Sequence, residues 1–111
     1  MNGMTEKTEQ AVFALQSERL YSFLQTASVQ FRNGEDAQGI EAFLSAVTEM
    51  EKLVENDQNS LQPRIDLKHL LPAIRTLCFY IKNQDIVGIA DLLEYVFYPM
   101  TKEWMKGSDG I

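Results

Sequence analysis

The residues able to do chemistry in this 111-residue chain are few and scattered. Its one histidine, His69, stands three residues after Asp66, so the two share a face if the segment is helical. A dinuclear carboxylate centre in a helical bundle draws on two Glu-x-x-His units, which a single histidine does not supply. A zinc site likewise lacks nitrogen and sulfur ligands. Asp66 is therefore read as a helix cap, with His69 filling the first turn. The one cysteine, Cys78, falls mid-helix beside Leu77, away from the basic or helix-N-terminal setting that activates a thiol. It is expected in the core as a small hydrophobe. Asp91 and Glu94, three apart, have the spacing of paired carboxylates, but no histidine or glycine-rich loop accompanies them, and a solvated face is expected. The glycines at 3, 34, 39, 88, 107 and 110 make no phosphate cradle. The chain is accordingly expected to be no enzyme, with no catalytic residue, no metal site and no cofactor.

The elements that must position these residues read as helices. Phe13, Leu20, Leu24, Ala27 and Phe31 recur at helical spacing, giving a first helix from about Thr5 or Thr8 to Asn33, where Asn33-Gly34 stops it. A second runs from about Asp36, its expected cap, to Glu55, with a stripe of Ile40, Phe43, Leu44, Val47, Met50, Leu53 and Val54. Asn56 to Gln62 is polar and reads as a loop closed by Pro63. After Asp66 a third helix spans about Leu67 to Lys82, with a stripe of Leu67, Leu70, Leu71, Ile74, Leu77, Cys78 and Ile81. Asn83-Gln84-Asp85 is a short turn with Asp85 as cap. A fourth helix then runs from about Ile86 to Lys106 and ends at Gly107. The expected fold is one all-α domain over residues 1–111, a four-helix antiparallel bundle in up-down-up-down order, with residues 1–10 and 107–111 as loose ends. A first helix that began at Thr5 would outrun its partners, leaving Val12, Phe13 and Leu15 to overhang or to form an arm.

Pro72 and Pro99 lie inside the third and fourth helical patterns, where each removes one backbone hydrogen bond. If those helices are antiparallel, both prolines fall near one end of the bundle. They either bend the helices around the core or widen a mouth there.

Composition narrows the partners. The net charge is -6, and residues 1–57 hold ten acids against four bases whereas residues 58–111 hold six of each. An acidic half repels phosphate backbones and anionic lipid, so neither nucleic acid nor a membrane is expected as a partner. One cysteine allows no intrachain disulfide. The start of the chain has no basic region leading into an apolar stretch, and no apolar run approaches the ~20 residues that cross a bilayer. The expected location is the cytoplasm.

The last third holds more apolar residues than one helix face accommodates. Val96, Phe97 and Tyr98 step by about 100° each and so point three ways, and Phe79 and Tyr80 add to the stripe of the third helix. Either the fourth helix is central and covered on several sides, or part of this aromatic surface is an interface, where such residues are favoured. Phe79, Tyr80, Tyr95, Phe97 and Tyr98 are thus the expected partner-binding residues of a non-catalytic adaptor that takes an amphipathic protein segment. In the alternative, a second copy of the chain covers them in a structural or regulatory homodimer.

Two stretches resemble a known family. Phe23-Leu24-Gln25-Thr26-Ala27 through Asn33-Gly34-Glu35-Asp36 and on to Leu53 is similar to the first helical hairpin of flagellar secretion chaperones. Asn83-Gln84-Asp85-Ile86 through Leu92-Leu93 to Glu103-Trp104 is similar to their last helix, which also starts after a short polar turn and finishes near a tryptophan. Short helical proteins of bacteria carry similar stretches. The resemblance is a pattern of spacings over roughly residues 20–104. It implies a bundle that binds the disordered helical end of an exported protein, such as a flagellar one, along its outside, with a movable N-terminal segment. Met1–Gln16 has no match to the tyrosine-containing N-terminal segment of those chaperones, so no binding residue carries over from that region.

Overall fold

The computed structural model describes residues 6–106. Helix α1 (Glu6–Arg32) is 27 residues long, about 40 Å at 1.5 Å per residue. Its apolar stripe behaves as the spacing requires: Phe13, Leu20, Leu24, Ala27 and Phe31 are all buried. Gly34 then takes φ +78°, a left-handed conformation that ends the helix. The Gly34 and Glu35 amides donate back to the carbonyls of Phe31 and Gln30.

Helix α2 (Asp36–Gln58) starts one residue earlier than a cap at Asp36 would place it. Glu35 is the capping position, it makes no side-chain cap bond, and Asp36 is the first helical residue. Helix α3 (Leu67–Lys82) opens on Asp66, whose Oδ1 accepts from the Lys68 amide at 3.0 Å. The turn into the last rod places Gln84 at φ +54°, and Asp85 Oδ1 accepts from the Gly88 amide at 2.9 Å.

The last rod is not the single α-helix that periodicity predicts. It consists of α4 (Ile86–Leu92), a π-helical turn (Leu93–Phe97) and α5 (Tyr98–Met105). Pro99 supplies the cause. It has no N–H for the Tyr95 carbonyl, and its ring collides with that carbonyl in a regular helix. A widened turn relieves the collision, with the Tyr98 amide donating five residues back to Leu93. Thr101 is fully buried, and its hydroxyl donates to the Phe97 carbonyl at 2.9 Å.

Helix α1 is the hub. It packs along α2 and along the last rod, and α3 packs on α4. Contacts fix the directions. Arg19 pairs with Glu49 at 3.3 Å and Phe31 lies against Gly39, so α1 and α2 are antiparallel. Arg32 reaches Asp91 at 2.8 Å and Phe13 meets Trp104 at 6.1 Å between ring centres, so α1 and the last rod are antiparallel too. Among the described residues there is no strand, and the fold is an all-α helical bundle. Phe97, Leu20, Leu24, Leu53, Leu70 and Leu93 are its fully buried large side chains, each worth roughly 1.5–3 kcal/mol of transfer free energy.

Two expectations about the ends change. The chain is helical from Glu6, so residues 6–10 are no loose end; residues 1–5 and 107–111, including Gly107, lie outside the described residues. Phe13 does not overhang. It is buried under Trp104, and the Arg64 guanidinium lies 5.8 Å from its ring centre. The connection that brings Arg64 there is organised by Asp57, which periodicity assigned to a polar loop. Asp57 ends up in the last turn of α2 and is buried. Its carboxylate accepts from the amides of Arg64 at 2.8 Å and Ile65 at 2.9 Å, which seats Ile65 in the core.

Candidate functional site

On α2, residues Ile40, Leu44, Val47, Glu51 and Val54 recur at intervals of four, three, four and three. On α3, Leu71, Ile74, Cys78 and Ile81 recur at three, four and three. Both sets run beside the packing face of their helix. Phe43, Ala46, Met50 and Leu53 take the packing face of α2, and Leu70, Ala73 and Leu77 that of α3. Each helix is therefore apolar over a wider arc than its neighbours cover.

Since α2 packs on α1 and α3 on α4, the two stand apart and leave a groove between them. The groove has a volume of about 480 Å³. Val47, Glu51, Val54 and Glu55 form one wall and Ile74, Cys78 and Ile81 the other. Leu24 and the two ends of the π-helical turn, Leu93 and Phe97, form the floor. The apolar stripes continue past the walls. Leu44 is 57% exposed, and Ile40, Leu71 and Ile81 are exposed as well. The chemistry of this surface is burial of apolar groups. Its only ionisable wall residues are Glu51, Glu55 and the thiol of Cys78. Cys78 is exposed, which corrects its assignment to the core. It lies on the arc of α3 that no helix covers.

The five residues expected to bind a partner are not gathered on one surface. Phe97 has no exposed area, so it is no surface contact and serves as groove floor. Tyr98 is half-buried, its ring 5.2 Å from that of Tyr21. Burial raises its hydroxyl pKa above the ordinary value, against an opposing hydrogen bond with Ser28. Tyr80 is half-buried over Gly88 and meets Phe79 edge to face at 5.9 Å. Phe79 itself is 62% exposed and Tyr95 69%. A hydrogen bond to Glu94 raises the Tyr95 hydroxyl pKa. Phe79, Tyr80, Tyr95 and Tyr98 all lie outside the groove walls.

Asp91, Glu94, Asp66 and His69 have structural partners. Asp91 and Glu94 both reach Arg32, at 2.8 and 3.4 Å, on an exposed face. Asp66 Oδ2 lies 2.6 Å from His69 Nδ1. Among the described residues no group of three or more His, Cys, Asp and Glu is arranged to hold a metal ion. A smaller pocket of about 280 Å³ lies between Glu9, Phe13, Asp57 and Arg64. Its central carboxylate, Asp57, is engaged by the backbone amides that anchor the connection. Among the described residues no helix is long and apolar enough to cross a membrane.

Residues 14–107 match a family described as a domain of unknown function, DUF8042. The chain belongs to the DUF8042 family. That match takes in all of α2 and α3 and the three floor residues, so the whole groove lies within the DUF8042 domain. No curated protein and no solved structure matches the chain.

Periodicity places Ile40, Leu44, Val47 and Val54, like Leu71, Ile74, Cys78 and Ile81, on the same stripes as the core, because it reports which arc is apolar and not what covers it. The signal that points to the groove is their width: seven apolar positions each on helices of 23 and 16 residues.

Proposed function

We propose that this DUF8042 chain is a non-catalytic protein-binding bundle that receives an amphipathic helix of a partner protein between α2 and α3. The observation that carries this reading is the groove itself, with apolar walls over two turns of each helix and exposed apolar residues extending them. A helix laid in such a trough inserts side chains at i, i+3, i+4 and i+7. It would cover Leu44, Leu71 and Ile81, which are otherwise left in water. An exported protein with a helical end, as the secretion-chaperone resemblance implies, is one such partner, and the cytoplasm is the compartment that reading carries with it. The homodimer is the second reading, favoured by the same exposed leucine and isoleucine side chains.

Cys78 makes the reading measurable, since it is the one thiol and stands in the groove wall. A synthetic amphipathic helical peptide is expected to slow alkylation of Cys78, and Leu44→Glu is expected to remove that protection. Unchanged alkylation at saturating peptide, in a monomer by light scattering, defeats the proposal. A dimer whose Cys78 is protected without peptide selects the second reading.

A further inference from the structure

Resting on the groove reading above, we infer that its two edges select a helix by charge: the occupant carries basic residues along the flank facing α2 and acidic residues along the flank facing α3. Helix α2 holds six acids, Asp36, Glu41, Glu49, Glu51, Glu55 and Asp57, and one base, Lys52. Helix α3 holds no acid and three bases, Lys68, Arg75 and Lys82. Those three recur every seven residues, so they form one edge of the helix. At 100° per residue that edge borders Leu71 and Cys78 on the side away from the buried Leu70, Ala73 and Leu77. It is the outer rim of the groove. On the opposite wall Glu51 and Glu55 line the groove, and Glu41 stands on the same outer arc of α2.

These charges are not neutralised by the fold. Among the described residues none of Glu41, Glu51, Glu55, Lys68, Arg75 and Lys82 forms an ion pair, whereas Arg19, Arg32, Lys52 and Lys106 all do. The groove holds the acidic rim and the basic rim apart. A helix seated between them with matching flanks satisfies both, and one with a single sign of charge meets repulsion along one rim. Turning a helix end for end exchanges its flanks, so the order of charge also fixes the direction in which the occupant runs. A partner helix fits this better than an uncharged apolar ligand, which would leave both rims without counterparts.

Three peptides with one apolar face decide the matter: one with lysine on one flank and glutamate on the other, one with lysine on both, one with glutamate on both. Affinity is read at low salt by fluorescence anisotropy, and occupancy by protection of Cys78. The mixed peptide is expected to bind about tenfold tighter than either of the others. Glu51→Lys with Glu55→Lys is expected to transfer the preference to the all-glutamate peptide, and Arg75→Glu with Lys82→Glu to the all-lysine peptide. These positions are exposed, and circular dichroism checks that the variants fold. Equal affinity of all three peptides with Cys78 protected overturns the charge inference and leaves the groove reading intact. No protection by any of them removes the groove reading first, and the inference with it. A chain that self-associates through the groove, with Cys78 protected in the absence of peptide, also overturns it, because the occupant is then a second copy.

Discussion

Tyr80 lies over the bare backbone of Gly88, and a β-carbon added at Gly88 would stand 2.6 Å from Cδ1 of that ring. The other helical hairpin uses the same device: a β-carbon at Gly39 would stand 2.6 Å from Cδ1 of Phe31. In both, an aromatic residue on one helix covers a glycine eight positions later, just inside the next. The two glycines are unfavourable by local propensity, at about 1 kcal/mol each relative to alanine. They are explained by the rings that rest on them. Tyr80 is accordingly a packing residue of the α3–α4 hairpin.

Gly39→Ala is expected to destabilise the chain by about 1 kcal/mol in urea unfolding, despite its gain in helix propensity, because the overpacking cost exceeds that gain. Phe31 is buried and has nowhere to move. Gly88→Ala is expected to destabilise as well, since the added β-carbon would also stand 2.8 Å from Oδ2 of the capping Asp85. Equal or greater stability of Gly39→Ala would show that the Phe31 contact relaxes freely.

Asp57→Ala should cost about 3 kcal/mol, because it strips the acceptor from the buried Ile65 amide and the part-buried Arg64 amide. Thermal unfolding reads this directly. The loss should come with faster proteolysis in residues 59–66, since that connection depends on the carboxylate.

Exposed and buried apolar residues on the two groove helices should separate cleanly. Leu44→Gln and Ile81→Gln, both at exposed positions, are expected to leave unfolding free energy within about 0.5 kcal/mol of the parent. Leu77→Ala, at a buried position that lines the groove from below, is expected to cost about 2–4 kcal/mol. If Leu44→Gln costs as much as Leu77→Ala, α2 and α3 close on each other in solution and the groove is filled by its own walls.

Asp66 gives a pH dependence. Its carboxyl is held below the ordinary 3.8 by the hydrogen bond with His69, and further by the Lys68 amide. A lowered folded pKa means the native state binds that proton less readily than the unfolded chain. The contribution of the cap is complete above pH 3.8 and disappears as pH falls through the lower folded value. Asp66→Asn is expected to flatten the parent's stability profile in that acid window. A parent and a variant that fall in parallel below pH 4 would place the acid sensitivity elsewhere.

Helix content, the two glycine- or asparagine-marked turns and the caps at Asp66 and Asp85 were all legible in residue order, because each rests on contacts within a few positions along the chain. Phe13, Leu24, Phe31 and Leu77 were legible as core for the same reason: a 3.6-residue period needs no knowledge of partners. Asp57 was not, since nothing local distinguishes a loop acid from one that will anchor amides seven and eight residues on. The π-helical turn was only half legible, as a proline at the wrong place for a straight helix. Residue order also could not tell Leu44 from Met50, or Cys78 from Leu77. Each pair lies on one apolar arc, and which member meets another helix depends on where α2 and α3 come to rest against α1 and α4. That separation is set by long-range packing, so the groove exists only in the tertiary structure.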